Sequence, residues 1–134
     1  MAKIEEIEGI GESIGAKLRA AGVNTVEGLL AAGASAKGRK ELEGKTGIDA
    51  SRLLGWVNKA DLCRIKGVST QYSDLLEAAG VDTVKELRNR KADNLTAKME
   101  EVNAAKNLVR RTPPLASVES WIAQAKELAP AVSH

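Results

Sequence analysis

Apolar residues recur at helical spacing along most of the chain. Ile14, Leu18 and Ala21 fall at i, i+4 and i+7, one face of an α-helix. Gly22 follows as a stop, because glycine takes the left-handed conformation at little cost. Asn24 or Thr25 is placed to cap the next helix, whose apolar face is Val26, Leu29 and Leu30, and which Gly33 ends. A helix around Ala36 to Glu43 comes next. Asp49 or Ser51 caps a longer helix carrying Leu53, Val57 and Ala60, which is predicted to run to about Ile65.

The pattern then begins again. Tyr72, Leu76 and Ala79 repeat the first face, Gly80 repeats the stop, and a new helix opens at Thr83. Leu95, Met99 and Val102 mark a helix from about Asn94 to Val109. Pro113 and Pro114 break the pattern. Ser117 is placed to cap a last helix with Val118, Trp121, Ile122, Ala125 and Leu128 on one side, which Pro130 ends. No segment carries a strand signal.

Superposing the two runs makes the repeat explicit. Residues 7–29 match residues 65–87 at a constant offset of 58, with 10 of 23 positions identical. Further on, Leu53, Trp56, Val57 and Ala60 face Val118, Trp121, Ile122 and Ala125 at an offset of 65. The second copy therefore holds seven extra residues, expected between Arg90 and Leu108. One packing solution is used twice. The expected fold is all-α, with about eight to ten short helices in two pseudo-repeated units. Residues 1–62 form the first unit, residues 63–129 the second, and residues 130–134 a flexible tail. The helix from Ser51 to Ile65 belongs to both halves, so they are expected to pack as one compact helical domain. Helices this short are marginal alone, and a shared apolar interior must hold them.

Composition narrows the core. Aromatic residues make up 2% of the chain, with no Phe, so Leu, Ile, Val and Ala must fill the interior. That mixture favours helix over strand. Trp56 and Trp121 occupy matching positions on apolar helices and are expected to be core, and Tyr72, in the place of Ile14, is expected to be packing. No apolar run approaches the roughly 20 residues of a membrane span, and the N-terminus lacks the apolar stretch of a signal peptide. Cys63 stands alone, which excludes an internal disulfide framework, and it reads as a small buried hydrophobe. The expectation is a soluble cytoplasmic protein with no membrane partner.

Candidate chemistry is sparse. The single histidine is His134 at the tail, which removes His-based acid–base chemistry and any metal site of ordinary ligand count. Glu5/Glu6 and Glu100/Glu101 are adjacent in sequence and point apart on a helix. No GK[ST] follows the glycines. No catalytic constellation, cofactor or metal is predicted, and a non-enzymatic binding module remains.

The segment Ile7-Glu8-Gly9-Ile10-Gly11 is a tight connection between helices. Gly9 and Gly11 permit backbone angles that a side chain forbids, and Ile10 tucks beneath the turn. Residues 11–14 then start a helix whose unpaired amides suit an anion such as phosphate. Gly9-Ile10-Gly11, Ala16-Lys17-Leu18-Arg19-Ala20-Ala21-Gly22-Val23, Thr25-Val26-Glu27-Gly28-Leu29 and Thr46-Gly47-Ile48 together resemble the helix-hairpin-helix superfamily. The resemblance covers nearly the full length. It is closest to the helix-hairpin-helix domains of recombinases and to the C-terminal domain of the RNA polymerase alpha subunit. The doubled arrangement is also similar to a bacterial and cyanobacterial family of tandem helix-hairpin-helix domains of unknown function. The superfamily resemblance implies sequence-independent contact with the DNA backbone, and the family resemblance implies no settled activity.

Charge directs that expectation to the second copy. Net charge is +2. Residues 1–62 hold nine basic and nine acidic groups, and residues 63–134 hold eleven and nine, so the excess lies wholly in the second half. Glu5, Glu6, Glu8 and Glu12 ring the first hairpin (Gly9, Ile10, Gly11) and would repel phosphate. The second hairpin reads Gly67-Val68-Ser69, without the last glycine, but Arg64, Lys66, Ser69, Thr70 and Gln71 suit phosphate contact. Arg88, Arg90 and Lys91 form one basic cluster, and Lys106, Arg110 and Arg111 another, and both would track a backbone if they shared a face. The expected partner is nucleic acid. The alternative is a protein-interaction or scaffold module in which the hairpins are rigid corners.

Overall fold

The structure, a computed structural model, describes residues 2–133. His134 lies outside the described residues. The chain divides into two compact units. The first ends at Asp61 and takes back the chain from Ala131, and the second is Leu62–Pro130. Among the described residues the regular structure is helical throughout, apart from one isolated antiparallel bridge between Lys3 and Thr25.

The first unit opens with a 3₁₀ turn at Ile4–Glu6, followed by α1 (Glu12–Ala20), α2 (Val26–Gly33), α3 (Ala36–Thr46) and α4 (Ala50–Leu62), which carries the chain across the boundary. Local chemistry sets these limits. The Thr25 hydroxyl accepts the Gly28 N–H at 2.9 Å, and the Ser35 hydroxyl accepts the Gly38 N–H at 3.0 Å. Ile4, Ile7, Leu18, Leu29, Leu53 and Val57 are fully buried. α2 packs on α3, and Gly33 approaches α4 so closely that an added Cβ would stand 2.6 Å from Val57 Cγ2.

Arg39 is the unexpected member of this interior, only 4% exposed. Its Nη1 donates to the carbonyls of Gly33 (2.8 Å) and Ala34 (3.1 Å), and its Nη2 donates to the Ser133 carbonyl at 2.6 Å. The guanidinium thereby satisfies carbonyls at the open C-terminal end of α2, where a cation is also favoured by the helix dipole. Ser133, in the segment expected to be loose, also donates its N–H to the Ala34 carbonyl at 2.8 Å.

The second unit contains α5 (Thr70–Ala78), α6 (Val84–Leu87), α7 (Ala92–Lys106) and α8 (Leu115–Glu127). α7 packs on α5 and α8, and α6 packs on α8. Leu75, Leu76, Val81, Val84, Leu87 and Met99 are buried completely between them. The Ser69 and Thr83 hydroxyls cap α5 and α6.

Several boundaries differ from those expected. α4 stops at Leu62 rather than near Ile65, because the chain tightens there: the Ile65 N–H donates to the Leu62 carbonyl at 3.1 Å and the Val68 N–H to the Ile65 carbonyl at 3.1 Å. α7 ends at Lys106, short of Val109, because Asn107 takes a left-handed conformation (φ 53°). α8 starts at Leu115 behind Pro114 rather than at a Ser117 cap, and the Ser117 N–H donates to the Pro114 carbonyl at 3.0 Å. A proline fits the open start of a helix, where no N–H partner is available in any case. α3 continues to Thr46, past the expected Glu43.

The extra residues of the second copy are not confined to the stretch before Leu108. α7 has 15 residues where α3 has 11, and the connection 107–114 replaces the short segment Gly47-Ile48-Asp49. α6, with 4 residues against 8 in α2, takes part of that length back.

Candidate functional site

The two corners share one geometry. Gly9 and Gly67 have φ of +93° and +98°, and the later pair Gly22 and Gly80 have +90° and +97°. Each corner rests on the tryptophan of its own copy. A Cβ built on Gly9 would lie 3.1 Å from Trp56 Nε1, and one on Gly67 would lie 3.0 Å from Trp121 Nε1. Glycine is thus favoured twice over, by a backbone angle that side chains rarely adopt and by the closeness of the indole beneath. Ile10 and Val68 are buried under their turns, and both tryptophans are buried, as their apolar positions predict. The second corner has an additional fastening. The Gln124 side chain accepts the Lys66 N–H at 2.8 Å and donates to the Lys66 carbonyl at 3.1 Å.

The helix starts that follow the corners differ. α1 begins at Gly11 with no side-chain cap. α5 begins at Ser69, whose hydroxyl accepts the Tyr72 N–H at 3.2 Å. Replacing the last glycine of the corner by serine therefore uses one of the open amides for capping.

The acidic ring around the first corner is partly committed to local structure. Arg19 donates to Glu5 through Nε (3.0 Å) and Nη2 (2.6 Å), and Glu6 accepts the Lys3 N–H at 2.6 Å. Glu8 and Glu12 are exposed. The hydrogen bonds from Arg19 hold the Glu5 carboxyl down at about 2. A folded value below the unfolded one means that the stabilisation is complete above the ordinary carboxylate range, near pH 4.5, and is lost as pH falls toward 2. The pair is exposed, so salt weakens it. An NMR titration is expected to show the Glu5 midpoint raised most of the way toward the ordinary carboxylate range in Arg19→Gln, because Arg19 is the largest of the causes that lower it. An unmoved midpoint would mean that the pair does not set it.

The basic residues separate toward the two ends of α5. At its start lie Lys66, Gly67, Ser69 and Thr70. Next to them is a groove of about 190 Å³, lined by Gln71, Asn107, Leu108, Val109 and Arg110. The Tyr72 hydroxyl donates to the Arg111 carbonyl at 3.1 Å, and its ring leans on Trp121 with centroids 5.4 Å apart. The segment of Arg110 and Arg111 is therefore brought to the second corner. Arg64 spends a donor on the Ala129 carbonyl at 2.9 Å.

The other cluster lies beyond the far end of α5. Arg90 donates to Glu86 through Nε (3.0 Å) and Nη2 (2.8 Å) and to the Gly80 carbonyl at 2.9 Å, closing the turn that follows α5. Arg88 is the half-buried C-cap of α6. Lys91 borders a cleft of about 480 Å³ together with Asp93, Glu119 and Lys126, so acids stand among these cations. The residues that sequence reasoning missed are Gln124 and Asn103, whose amides hold backbone rather than ligand. Asn103 accepts the Val109 N–H at 2.9 Å and donates to its carbonyl at 3.0 Å.

Among the described residues no group of His, Cys, Asp and Glu side chains is arranged to hold a metal ion. No described helix is long and apolar enough to cross a membrane. A family model matches residues 8–128, taking in both corners and every helix from α1 to α8. The chain belongs to the family described as a domain of unknown function, DUF4332. The DUF4332 match thus spans both copies of this chain. No curated protein and no solved structure matches this DUF4332 chain.

Proposed function

We propose that this DUF4332 protein is a non-enzymatic module that binds nucleic acid through its backbone, independently of sequence, at the second corner. On this reading each copy is a helix-hairpin-helix unit, a reading supported by positive-φ glycines at equivalent repeat positions. The observation that carries the proposal is the meeting of two acid-free segments. Residues 64–73 contain no Asp or Glu, nor do residues 102–118, and they adjoin at Gln71 and Arg110. Exposed Lys66, Arg110 and Arg111 supply charge, and the amides of Thr70 and Gln71 at the start of α5 favour an anion. Arg90 contributes little on this reading, because Glu86 already neutralises it.

Fluorescence anisotropy with labelled DNA and RNA, from low to physiological salt, tests the proposal. Each phosphate contact contributes about −0.9 to the slope of log K against log salt on duplex DNA. Arg110→Ala with Arg111→Ala is expected to weaken binding and to flatten the slope by about 2. Lys66→Glu is expected to weaken binding further. Absence of binding at low salt would overturn the proposal in favour of a protein-contact module, a reading that the exposed carboxylates of Glu8 and Glu12 at the first corner favour.

A further inference from the structure

We infer that the groove beside the second corner seats an unpaired base, so that the partner is a single strand rather than a duplex; this rests on the nucleic-acid reading above. The groove, about 190 Å³, adds to polar groups that suit either a base or a phosphate an apolar wall that suits only a base. Leu108 and Val109 supply apolar wall, Gln71 and Asn107 carry amides able to pair with base edges, and Arg110 carries a guanidinium plane. Leu108, within the connection 107–114, is 38% exposed, and Leu115, which follows it, is 45% exposed. An exposed leucine beside a groove is a poor phosphate ligand but a surface against which a base face packs.

The charge complements a polyanion. Lys106, Arg110 and Arg111 stand in a stretch, residues 102–118, that has no carboxylate. The site is also held in shape before any ligand arrives. Asn103 brackets the Val109 backbone, the Tyr72 hydroxyl holds the Arg111 carbonyl, and Asn107 turns the chain at φ 53°. Ordering such a loop in advance lowers the entropy cost of binding. A duplex keeps its base faces stacked, so only a strand with splayed bases places one in the groove. The corresponding connection of the first copy, Gly47-Ile48-Asp49, has a buried isoleucine and an acid instead. The activity therefore belongs to the second copy.

The test measures anisotropy of the full chain with a labelled oligothymidylate and with a duplex of equal length at one salt concentration, with polyglutamate as competitor. The single strand is expected to bind about ten-fold more tightly. Leu108→Ser, at an exposed position, is expected to remove roughly five-fold of single-strand affinity while duplex affinity and helical circular dichroism stay unchanged. Equal affinity for strand and duplex, both reduced by Arg110→Ala, would overturn the base groove and leave backbone binding standing. No binding to either at low salt would overturn both. Polyglutamate that displaces the strand, and whose own binding also falls in Leu108→Ser, would give the groove to an acidic peptide and overturn the inference.

Discussion

Trp121→Ala is expected to destabilise the second unit by about 3–5 kcal/mol, the range for removing a large aromatic side chain from a packed interior. Trp121 is 3% exposed and belongs to the same buried cluster as Leu62, Ile65, Leu75 and Val118. Its Nε1 edge underlies Gly67 and its ring packs at a tilt against Tyr72, so one side chain supports both the corner and the residue that holds Arg111. Removing it opens a cavity and frees the connection 107–114 together. Urea unfolding followed by far-ultraviolet circular dichroism, with amide exchange read at Leu76, Leu87 and Val118, measures the loss. The retained fluorescence of Trp56 reports the first unit. A cost under about 1 kcal/mol would show that the corner stands without its indole. Trp56→Ala is expected to act likewise in the first unit, somewhat more mildly, because Trp56 is 7% exposed and one face is covered by the Arg52 guanidinium 5.1 Å away.

The second large effect is expected from Gly67→Ala, about 2–4 kcal/mol. Two costs combine there. A side chain at φ +98° is strained by about 1–3 kcal/mol, and the new methyl group meets Trp121 Nε1 at 3.0 Å. A double-mutant cycle separates them. In a Trp121→Phe background the Nε1 contact is gone, so the steric part falls and the backbone part remains. An equal cost in both backgrounds would assign the whole effect to φ. Gly9→Ala, at φ +93° and 3.1 Å from Trp56 Nε1, is expected to behave the same way. Gly11 is the control. Its φ is −83° and nothing lies within 4 Å of an added Cβ, so alanine is expected to cost no more than the roughly 1 kcal/mol of a poorer N-cap. Gly11→Ser, which copies Ser69, is expected to gain a few tenths of a kcal/mol from capping.

Much of the fold is legible in short-range features. Thr25, one of the two residues placed to cap α2, does so at 2.9 Å, and Thr83, where a helix is expected to open, caps α6 at 3.2 Å, because a hydroxyl three residues ahead of an open amide is a local event. Gly22 and Gly80 end α1 and α5 for an equally local reason, the positive φ. The apolar faces follow from helical period. The failures are of another kind. Nothing in the sequence singles out Arg39, and it becomes interior only because the α2 terminus and Ser133, 94 residues further along, supply three carbonyls. Arg90 reads as one of a basic cluster, and it is spent on Glu86 and the Gly80 carbonyl. α7 stops short of Val109 because Asn107 turns the chain at φ 53° and the Asn103 side chain holds the returning Val109 backbone, neither of which helical periodicity registers.

The candidate site divides along the same line. Periodicity, cap residues and the positions of Gly9 and Gly67 established the helices, the duplication and the corners, since each depends on bonds and angles within a few residues. Packing alone decided which charged and polar side chains are consumed by the protein's own backbone and which two distant segments adjoin. It brought Gln71 to Arg110 and left Arg90 beyond the other end of α5. A hydrogen bond or a groove is made by distances through space between residues far apart along the chain, and such distances exist only once the chain has folded.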